Sequence, residues 1–124
     1  MKLRNIQLTI KSRKQVFNEA AQALKRVRKG EKFPKHEEIS FENLETLRKV
    51  LTKKRMELLH IIKQNSPESI YELAKIVSRD IKSVNTDVHI LEDMGFVSLE
   101  HVKGVREKVR PRVEFDKLNI EVVV

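Results

Sequence analysis

The sequence predicts an α+β protein, in which a small strand–helix–strand unit precedes a run of helices and a last set of strands. Apolar and polar residues alternate in residues 2–10 and again in residues 105–115, which is the period of a β-strand. Residues 43–94 instead repeat their apolar side chains at helical spacing. The length of 124 residues suits one domain, or one domain with a substantial extension.

The composition excludes several kinds of function. No cysteine is present, so disulfides, thiolate metal sites and cysteine nucleophiles are excluded. The four histidines lack metal-binding spacing, and neither a glycine-rich phosphate loop nor a nucleophile elbow occurs. We therefore expect no enzyme activity, metal or cofactor. No apolar run could span a membrane and no signal peptide is visible, so we expect a cytoplasmic protein without a membrane partner.

The net charge of +8 is unevenly distributed. Residues 1–36 contain 11 Lys or Arg and 2 Asp or Glu, which gives +9, whereas residues 37–124 contain 15 and 16, which gives −1. A basic excess favours polyanionic partners. The basic first third either widens a contact with DNA, or docks an acidic protein such as a toxin, or is simply solvated.

Residues 1–42 are predicted to form a strand–helix–strand extension. A strand at 5–10 is followed by a helix at 13–29, and a short strand at 37–41 is expected to return beside the first. Such a unit is too small to fold alone, so we expect it to form a homodimer interface. The free edge of the first strand would pair with its twin in a second subunit.

Capping signals bound the helix of this extension. Ser12 and Gln15 have the spacing of a capping box, and Gly30 is a helix stop before a polar loop at 31–36. Apolar side chains recur along the helix at helical spacing: Val16, Phe17, Ala20, Leu24 and Val27.

Residues 43–124 are predicted to form a second domain of helices and strands. The predicted helices lie near 43–51, 53–65, 69–77 and 81–94, and the predicted strands are 96–102, 105–115 and 118–124. The capping signals are Thr52, the Ser69–Glu72 box, Asp80 and the terminating Gly95. The side chains expected to face inward include Met56, Leu59, Ile62, Ile70, Leu73, Ala74, Val77, Ile81, Val84, Val88, Leu91, Val105, Val109, Val113 and Phe115.

This order of elements is the layout of a winged helix-turn-helix. The three-residue link at 78–80 forces the flanking helices to cross steeply, which pushes the first half of helix 81–94 outward. A helix in that position fits the major groove of B-DNA, and its N-terminal residues usually reach the base edges.

The outward face of helix 81–94 carries short side chains that donate and accept hydrogen bonds. These candidate DNA-binding residues are Lys82, Ser83, Asn85, Thr86 and His89. Asparagine pairs with adenine, threonine contacts the thymine methyl group, and lysine reaches guanine or phosphate. The alternative is an ordinary solvated helix face.

The β-ribbon after this helix carries a row of cations. Lys103, Arg106, Lys108 and Arg110 are the candidate phosphate ligands of this wing, and Arg112 continues the row farther from the tip. The alternative is an edge strand that uses charge to prevent aggregation.

Four further cations each have two possible roles. Arg79 lies in the link at 78–80, and the other three lie at the start of the helix predicted at 53–65. Arg79 either pairs with Asp87 or reaches a phosphate. Lys53, Lys54 and Arg55 open a helix, where they either hold a phosphate or are solvated.

Several motifs resemble one group of regulators. Val84, Val88 and Leu91, followed by the GFV at 95–97, resemble the recognition-helix pattern of MarR- and ArsR-like transcriptional regulators. The segments SFENLETLRKVLTKKRMELLHII, SIYELAKIVSRDIKSVNTDV and LEDMGFV resemble archaeal and bacterial MarR-like DNA-binding proteins that have an N-terminal strand–helix extension. The likeness covers residues 37–120 well and 1–36 loosely, and the wing is more basic than in many relatives.

The resemblance implies a dimeric winged-helix protein that binds double-stranded DNA, typically as a repressor of its own or a neighbouring operon. Some relatives are antitoxin-like partners of a neighbouring toxin. The second function it implies is therefore a protein-interaction module that neutralises a partner protein, with DNA binding secondary.

Overall fold

The computed structural model describes residues 5–30 and 38–124, and the fold is α+β. The predicted loop at 31–36 lies outside the described residues. The elements are β1 (Asn5–Ile10), α1 (Arg13–Arg28), β2 (Glu38–Phe41), α2 (Leu44–Val50), α3 (Lys53–Asn65), α4 (Ile70–Val77), α5 (Ile81–Asp93), β3 (Ser98–Val102), β4 (Lys108–Arg112) and β5 (Lys117–Val122). No helix among these is long and apolar enough to cross a membrane.

The chain divides into two compact units. One unit contains residues 1–47 and 117–124, and the other contains residues 48–116. The predicted boundary at residues 42 and 43 differs from this division mainly at the C-terminus. β5 joins the first unit rather than the second because all six of its residues pair with β1.

The first unit is built on a three-stranded parallel sheet in the order β2-β1-β5. The prediction that the short strand returns beside the first is confirmed, since Leu8 pairs with Ile39. Leu8 also pairs with Ile120 on its other side and is fully buried. β1 is therefore the central strand, and the prediction that its edge pairs with a second subunit is wrong, because β5 occupies that edge.

α1 begins at the predicted capping box. The Ser12 hydroxyl accepts from the Gln15 backbone N–H at 3.3 Å, and the Gln15 side chain accepts from the Ser12 N–H at 3.0 Å. The Lys11 ammonium group lies 2.7 Å from Glu19 on α1 and 2.8 Å from Glu38 on β2. The hydrogen bonds to these two carboxylates raise the pKa of Lys11. This ion-pair cluster ties the helix to two strands of the sheet.

No residue of α1 is buried, although its apolar side chains have helical spacing. Phe17 is 75% exposed and Leu24 is 54% exposed. Val16 and Val27 are exposed as well. The apolar face of this helix is thus left uncovered by the described residues of the unit.

The second unit is a helical core with a β-ribbon. Leu58, Leu73, Val84, Val88 and Leu91 are fully buried. The rings of Phe96 and Phe115 meet edge to face with centroids 6.4 Å apart, which places both at the base of the ribbon. Most inward predictions for α3, α4 and α5 are confirmed, including Leu59, Ile62, Ile70 and Ala74.

Three inward predictions are wrong. Met56 is exposed, and Leu58 takes the core position on α3. Ile81 is exposed because it opens the first turn of α5, which borders an open cleft. Val105 is fully exposed because residues 103–107 form the turn between β3 and β4, so the strand pattern starts at Lys108.

The helix caps of the second unit agree with the sequence. Thr52, Ser69 and Asp80 accept from the backbone N–H three residues later at 3.2, 3.0 and 3.3 Å. The predicted capping box of Ser69 and Glu72 forms only in part. The Ser69 hydroxyl accepts from the Glu72 N–H, but the Glu72 carboxylate accepts from the N–H of Glu68 and not from that of Ser69. Gly95 has a φ of +85°, which suits its predicted place just after α5.

Candidate nucleic-acid interface

α5 separates an apolar face from a polar one. Val84, Val88 and Leu91 are completely buried. The five predicted residues on the opposite face are all exposed: Lys82, Ser83, Asn85, Thr86 and His89. The short link before the helix turns sharply at Ser78, whose φ is +55°. Apart from Ile81, the sequence therefore located both faces of this helix correctly.

Most polar groups on the exposed face are available to a ligand. The side chains of Lys82, Ser83 and Asn85 form no hydrogen bond or ion pair with any described residue. The Thr86 hydroxyl donates to the carbonyl of Lys82 at 2.9 Å, so its methyl group and oxygen lone pairs remain free. His89 has its Nδ1 3.6 Å from the Glu92 carboxylate.

Arg79 does not belong to this surface. Its Nη2 bonds to Asp87 at 2.7 Å, and Arg55 bonds to the other carboxylate oxygen at 3.0 Å. All three side chains are mostly buried. Of its two assignments, Arg79 therefore adopts the ion pair with Asp87, and its Nη1 is buried without a hydrogen-bond partner among the described residues.

The same ion pairs decide the place of Arg55. Its guanidinium also donates to the carbonyls of Lys49 and Val50 at 2.7 and 3.0 Å. Burial raises the pKa of Asp87, but hydrogen bonds from Arg79 and Arg55 outweigh it, so the pKa lies below its ordinary value. This arginine is a structural tie between α3 and α5 rather than a phosphate ligand, whereas Lys53 and Lys54 are exposed.

The cations of the β-ribbon differ in their exposure and in their ion pairs. Lys103 and Arg106 are exposed in the turn. Lys108 is exposed, with its Nζ 3.8 Å from Glu68. Arg110 is half-buried and lies opposite Glu100. Arg112 bonds to Glu100 at 2.7 Å, so it serves the ribbon itself.

An open cleft of about 510 Å³ brings the helix and the ribbon together. Four predicted site residues line it: Lys82 and Asn85 from α5, Arg106 from the turn and Lys108 from β4. Ser83, Thr86, His89, Lys103 and Arg110 are not part of its lining, nor is Arg79. The cleft therefore places helix side chains that can contact bases beside cations that can contact phosphates.

Sequence reasoning did not place six of the residues that line the cleft at the site: Ser69, Ile70, Tyr71, Ile81, Glu107 and Val109. Tyr71 lines the cleft and is exposed, with the Lys75 ammonium group 4.6 Å from its ring centroid. Tyr71 is the only tyrosine of the chain and lies next to the inward-facing residues of α4. This position beside the apolar face was the one signal in the sequence that could have identified it. Ile81 also lines the cleft, but its helical spacing with Val84 and Val88 indicated a core position.

The family model described as HVO_A0114 matches residues 50–120, which is more than half of the chain. The chain belongs to the HVO_A0114 family. The matched range contains α3, α4, α5, β3 and β4, and thus every candidate interface residue, whereas β1, α1 and β2 precede it. No curated protein and no solved structure matches the chain.

Proposed function

We propose that this protein is a MarR- or ArsR-like winged helix-turn-helix regulator that binds double-stranded DNA at specific sequences. The order α3, α4, α5 and an antiparallel β3–β4 hairpin supports this reading. α5 enters the major groove, and the turn at 103–107 with the start of β4 lies along the flanking backbone. The protein then acts in the cytoplasm as a dimeric repressor of its own or a neighbouring operon.

The cleft between α5 and the ribbon is the observation that carries the proposal. The cleft is lined by Asn85, whose amide is unpaired among the described residues, and by the side chains of Arg106 and Lys108. The amide supplies two donors and an acceptor for a base edge, and the cations supply phosphate contacts. A helix face that is only solvated would not require the cations of the β-ribbon beside it.

Each exposed side chain of α5 has a role that follows from its free groups. Asn85 pairs bidentately with adenine, Ser83 contacts either base type, and the Thr86 methyl group contacts thymine. Lys82 reaches guanine or phosphate, and His89 donates to a base or a phosphate. Two such helices related by a two-fold axis read a pseudo-palindromic site with half-sites about one helical turn, or a small multiple, apart.

The base-reading role of Asn85 is tested by comparing two alanine variants. Asn85→Ala should weaken binding to a selected operator about 10- to 100-fold, because a good bidentate base contact is worth about 1–3 kcal/mol. Binding to a scrambled duplex should stay nearly constant. Fluorescence anisotropy at one fixed salt concentration measures both affinities.

Gln64→Ala is the matched control, because Gln64 is another exposed amide, at the end of α3. It should change neither affinity. Equal losses of Asn85→Ala on the operator and on the scrambled duplex would overturn the base-reading role.

A second candidate function, a protein-interaction module that captures an acidic partner, is favoured by α1. This helix leaves Phe17 and Leu24 exposed, and it carries six cations within or next to it: Arg13, Lys14, Lys25, Arg26, Arg28 and Lys29. Glu19, its only acidic residue, already binds Lys11. The surface is complementary to an apolar segment bordered by carboxylates, such as part of an acidic toxin.

Phe17→Ser combined with Leu24→Ser tests this second function. Because α1 contains no buried residue, the free energy of unfolding should change by no more than about 0.5 kcal/mol per site. Co-purification with the acidic product of an adjacent gene should be lost, while DNA affinity stays unchanged. Retained co-purification would exclude α1 as the docking face.

A further inference from the structure

Among the described residues, β5 has one open edge. In the sheet order β2-β1-β5, its inner edge pairs with β1 over residues 117–122, and no described strand lies on its outer edge. An exposed strand edge is a template for pairing with another chain, and proteins usually block it with charge or proline. β5 carries a single lysine, Lys117, a single acid, Glu121, and no proline.

The backbone of β5 shows which residues face that edge. The N–H of Val123 donates to the carbonyl of Ile10 at 3.1 Å, so Val123 faces β1. The N–H and C=O of one strand residue point to the same side, and that side alternates along the strand. The backbone N–H and C=O groups of residues 117, 119 and 121 therefore point to β1, whereas those of Leu118, Ile120 and Val122 point to the open edge.

The side chains near this edge are also incompletely covered. Ile120 and Val122 are each 55% exposed. Both are β-branched residues of high strand propensity, and burying them against another strand would remove apolar surface from water. An edge with free backbone groups and exposed apolar side chains fits a further strand.

We infer that β5 pairs antiparallel with β5 of a second copy of this chain, about a two-fold axis at Asn119, to form one six-stranded sheet. Leu118 then exchanges both backbone hydrogen bonds with Ile120 of the partner subunit, and both residues have the required outward direction. Lys117 lies opposite Glu121 of the partner subunit in a pair without mutual backbone hydrogen bonds, the type in which the side chains are closer together. The interface is self-complementary, as a two-fold axis demands.

Charge selects this register over its neighbours. Moving the axis to Ile120 places Lys117 opposite Val123 of the partner subunit and leaves both charges unpaired. The groups needed are available: Lys117 forms no ion pair with any described residue. Glu121 accepts one bond from Gln7, at 3.3 Å to Oε2, which leaves its Oε1 for the lysine.

Charge reversal tests the register in the full-length chain without DNA. Lys117→Glu alone, or Glu121→Lys alone, places like charges opposite each other twice per dimer, so the dimer dissociation constant should rise about ten-fold. The double reversal should restore it. Sedimentation velocity over a concentration series measures all four proteins.

Ile120→Pro gives a second test that does not depend on charge. The N–H it removes points away from β1, so the sheet within one subunit should persist while dimerisation is lost. A far-ultraviolet circular dichroism spectrum like that of the wild type verifies the fold, whereas the urea unfolding midpoint should fall because dimerisation no longer stabilises the folded chain. A wild-type monomer at tens of micromolar, no effect of Ile120→Pro, or a double reversal that fails to restore the dimer would overturn the inference. Since DNA is absent, these outcomes test self-association alone, whereas contact between α5 and DNA is tested separately by the anisotropy measurement on Asn85→Ala.

Discussion

Asp87 accepts hydrogen bonds from two arginines that lie in different parts of the helical unit. Arg55 belongs to the first turn of α3, and Arg79 belongs to the link before α5. The carboxylate is mostly buried, so its removal would leave two cations with little access to water. This contact fixes the orientation of α5, and with it the exposed face on which the proposed function depends.

The charge of Asp87 should therefore be important for stability. Asp87→Asn is expected to lower the free energy of unfolding by about 3 kcal/mol at neutral pH, the scale for removing one partner of a buried ion pair. The pKa of the folded carboxylate lies below its ordinary value of 3.8, so the stabilisation is complete above that pH and is lost as the pH falls through the folded pKa. Urea unfolding at a series of pH values measures the difference.

Asp93→Asn provides the control, because Asp93 is an exposed acid on the same helix. It should change stability by no more than about 0.5 kcal/mol at any of these pH values. The role assigned to Asp87 is contradicted if the two variants cost the same at neutral pH.

Sequence information at this scale predicted exposure better than pairing. The polar face of α5 followed from helical spacing alone, since burial of Val84, Val88 and Leu91 forces the other side outward. The choice of Arg79 between Asp87 and a phosphate depended on how the link turns, which spacing does not specify. Arg55 lies 32 residues from Asp87 in the chain, so no local pattern pointed to their contact.

At the scale of elements, the cations of the β-ribbon divide into those directed to the ribbon itself and those that face the cleft. Arg112 is bonded to Glu100, and Arg110 is half-buried, whereas Arg106 and Lys108 face the cleft. A row of cations that only prevents aggregation would not need two of its members beside the start of α5.

Arg106→Ala combined with Lys108→Ala should reduce the salt dependence of DNA binding. Each lost phosphate contact lowers the slope of log K against log salt by about 0.9, so a reduction of about 1.8 per protomer is expected. Affinity measured at several salt concentrations gives the slope.

The matched control for the wing is Arg48→Ala with Lys49→Ala, which removes the same charge from exposed positions on α2. The control should leave the slope nearly unchanged. A slope that does not differ between the two double variants would favour the aggregation-preventing role of the ribbon.

The pairing of β2 with β1 and of β3 with β4 was predicted, but the partner of the last strand was not. The pattern in residues 118–124 indicated a last strand, yet nothing local showed that it pairs with β1, more than a hundred residues earlier. The prediction that the edge of β1 pairs with a second subunit was wrong for the same reason, because the sequence did not show that β5 occupies that edge. Strand pairing depends on long-range contacts, whereas caps such as Thr52 and Asp80 depend on residues three positions away and were predicted correctly.

At the scale of the whole molecule, the two compact units differ in charge and in how well they are buried. The helical unit, residues 48–116, has 14 Lys or Arg against 11 Asp or Glu, a net of +3, and a fully buried apolar core. The first unit contains the basic α1 and the open edge of β5, both with exposed apolar side chains. The proposed DNA recognition involves the second unit, and the proposed association with other chains involves the first.

The central claim is that the protein recognises particular DNA sequences, and selection of bound fragments from its own genome tests it most directly. The wild-type chain and Asn85→Ala should be compared at roughly physiological salt, because phosphate contacts make affinity salt-dependent. We expect the wild type to recover a pseudo-palindromic motif upstream of its own operon, and Asn85→Ala to lose enrichment of that motif. Fragments enriched weakly, without a shared motif, and equally by both proteins would contradict sequence-specific recognition by α5.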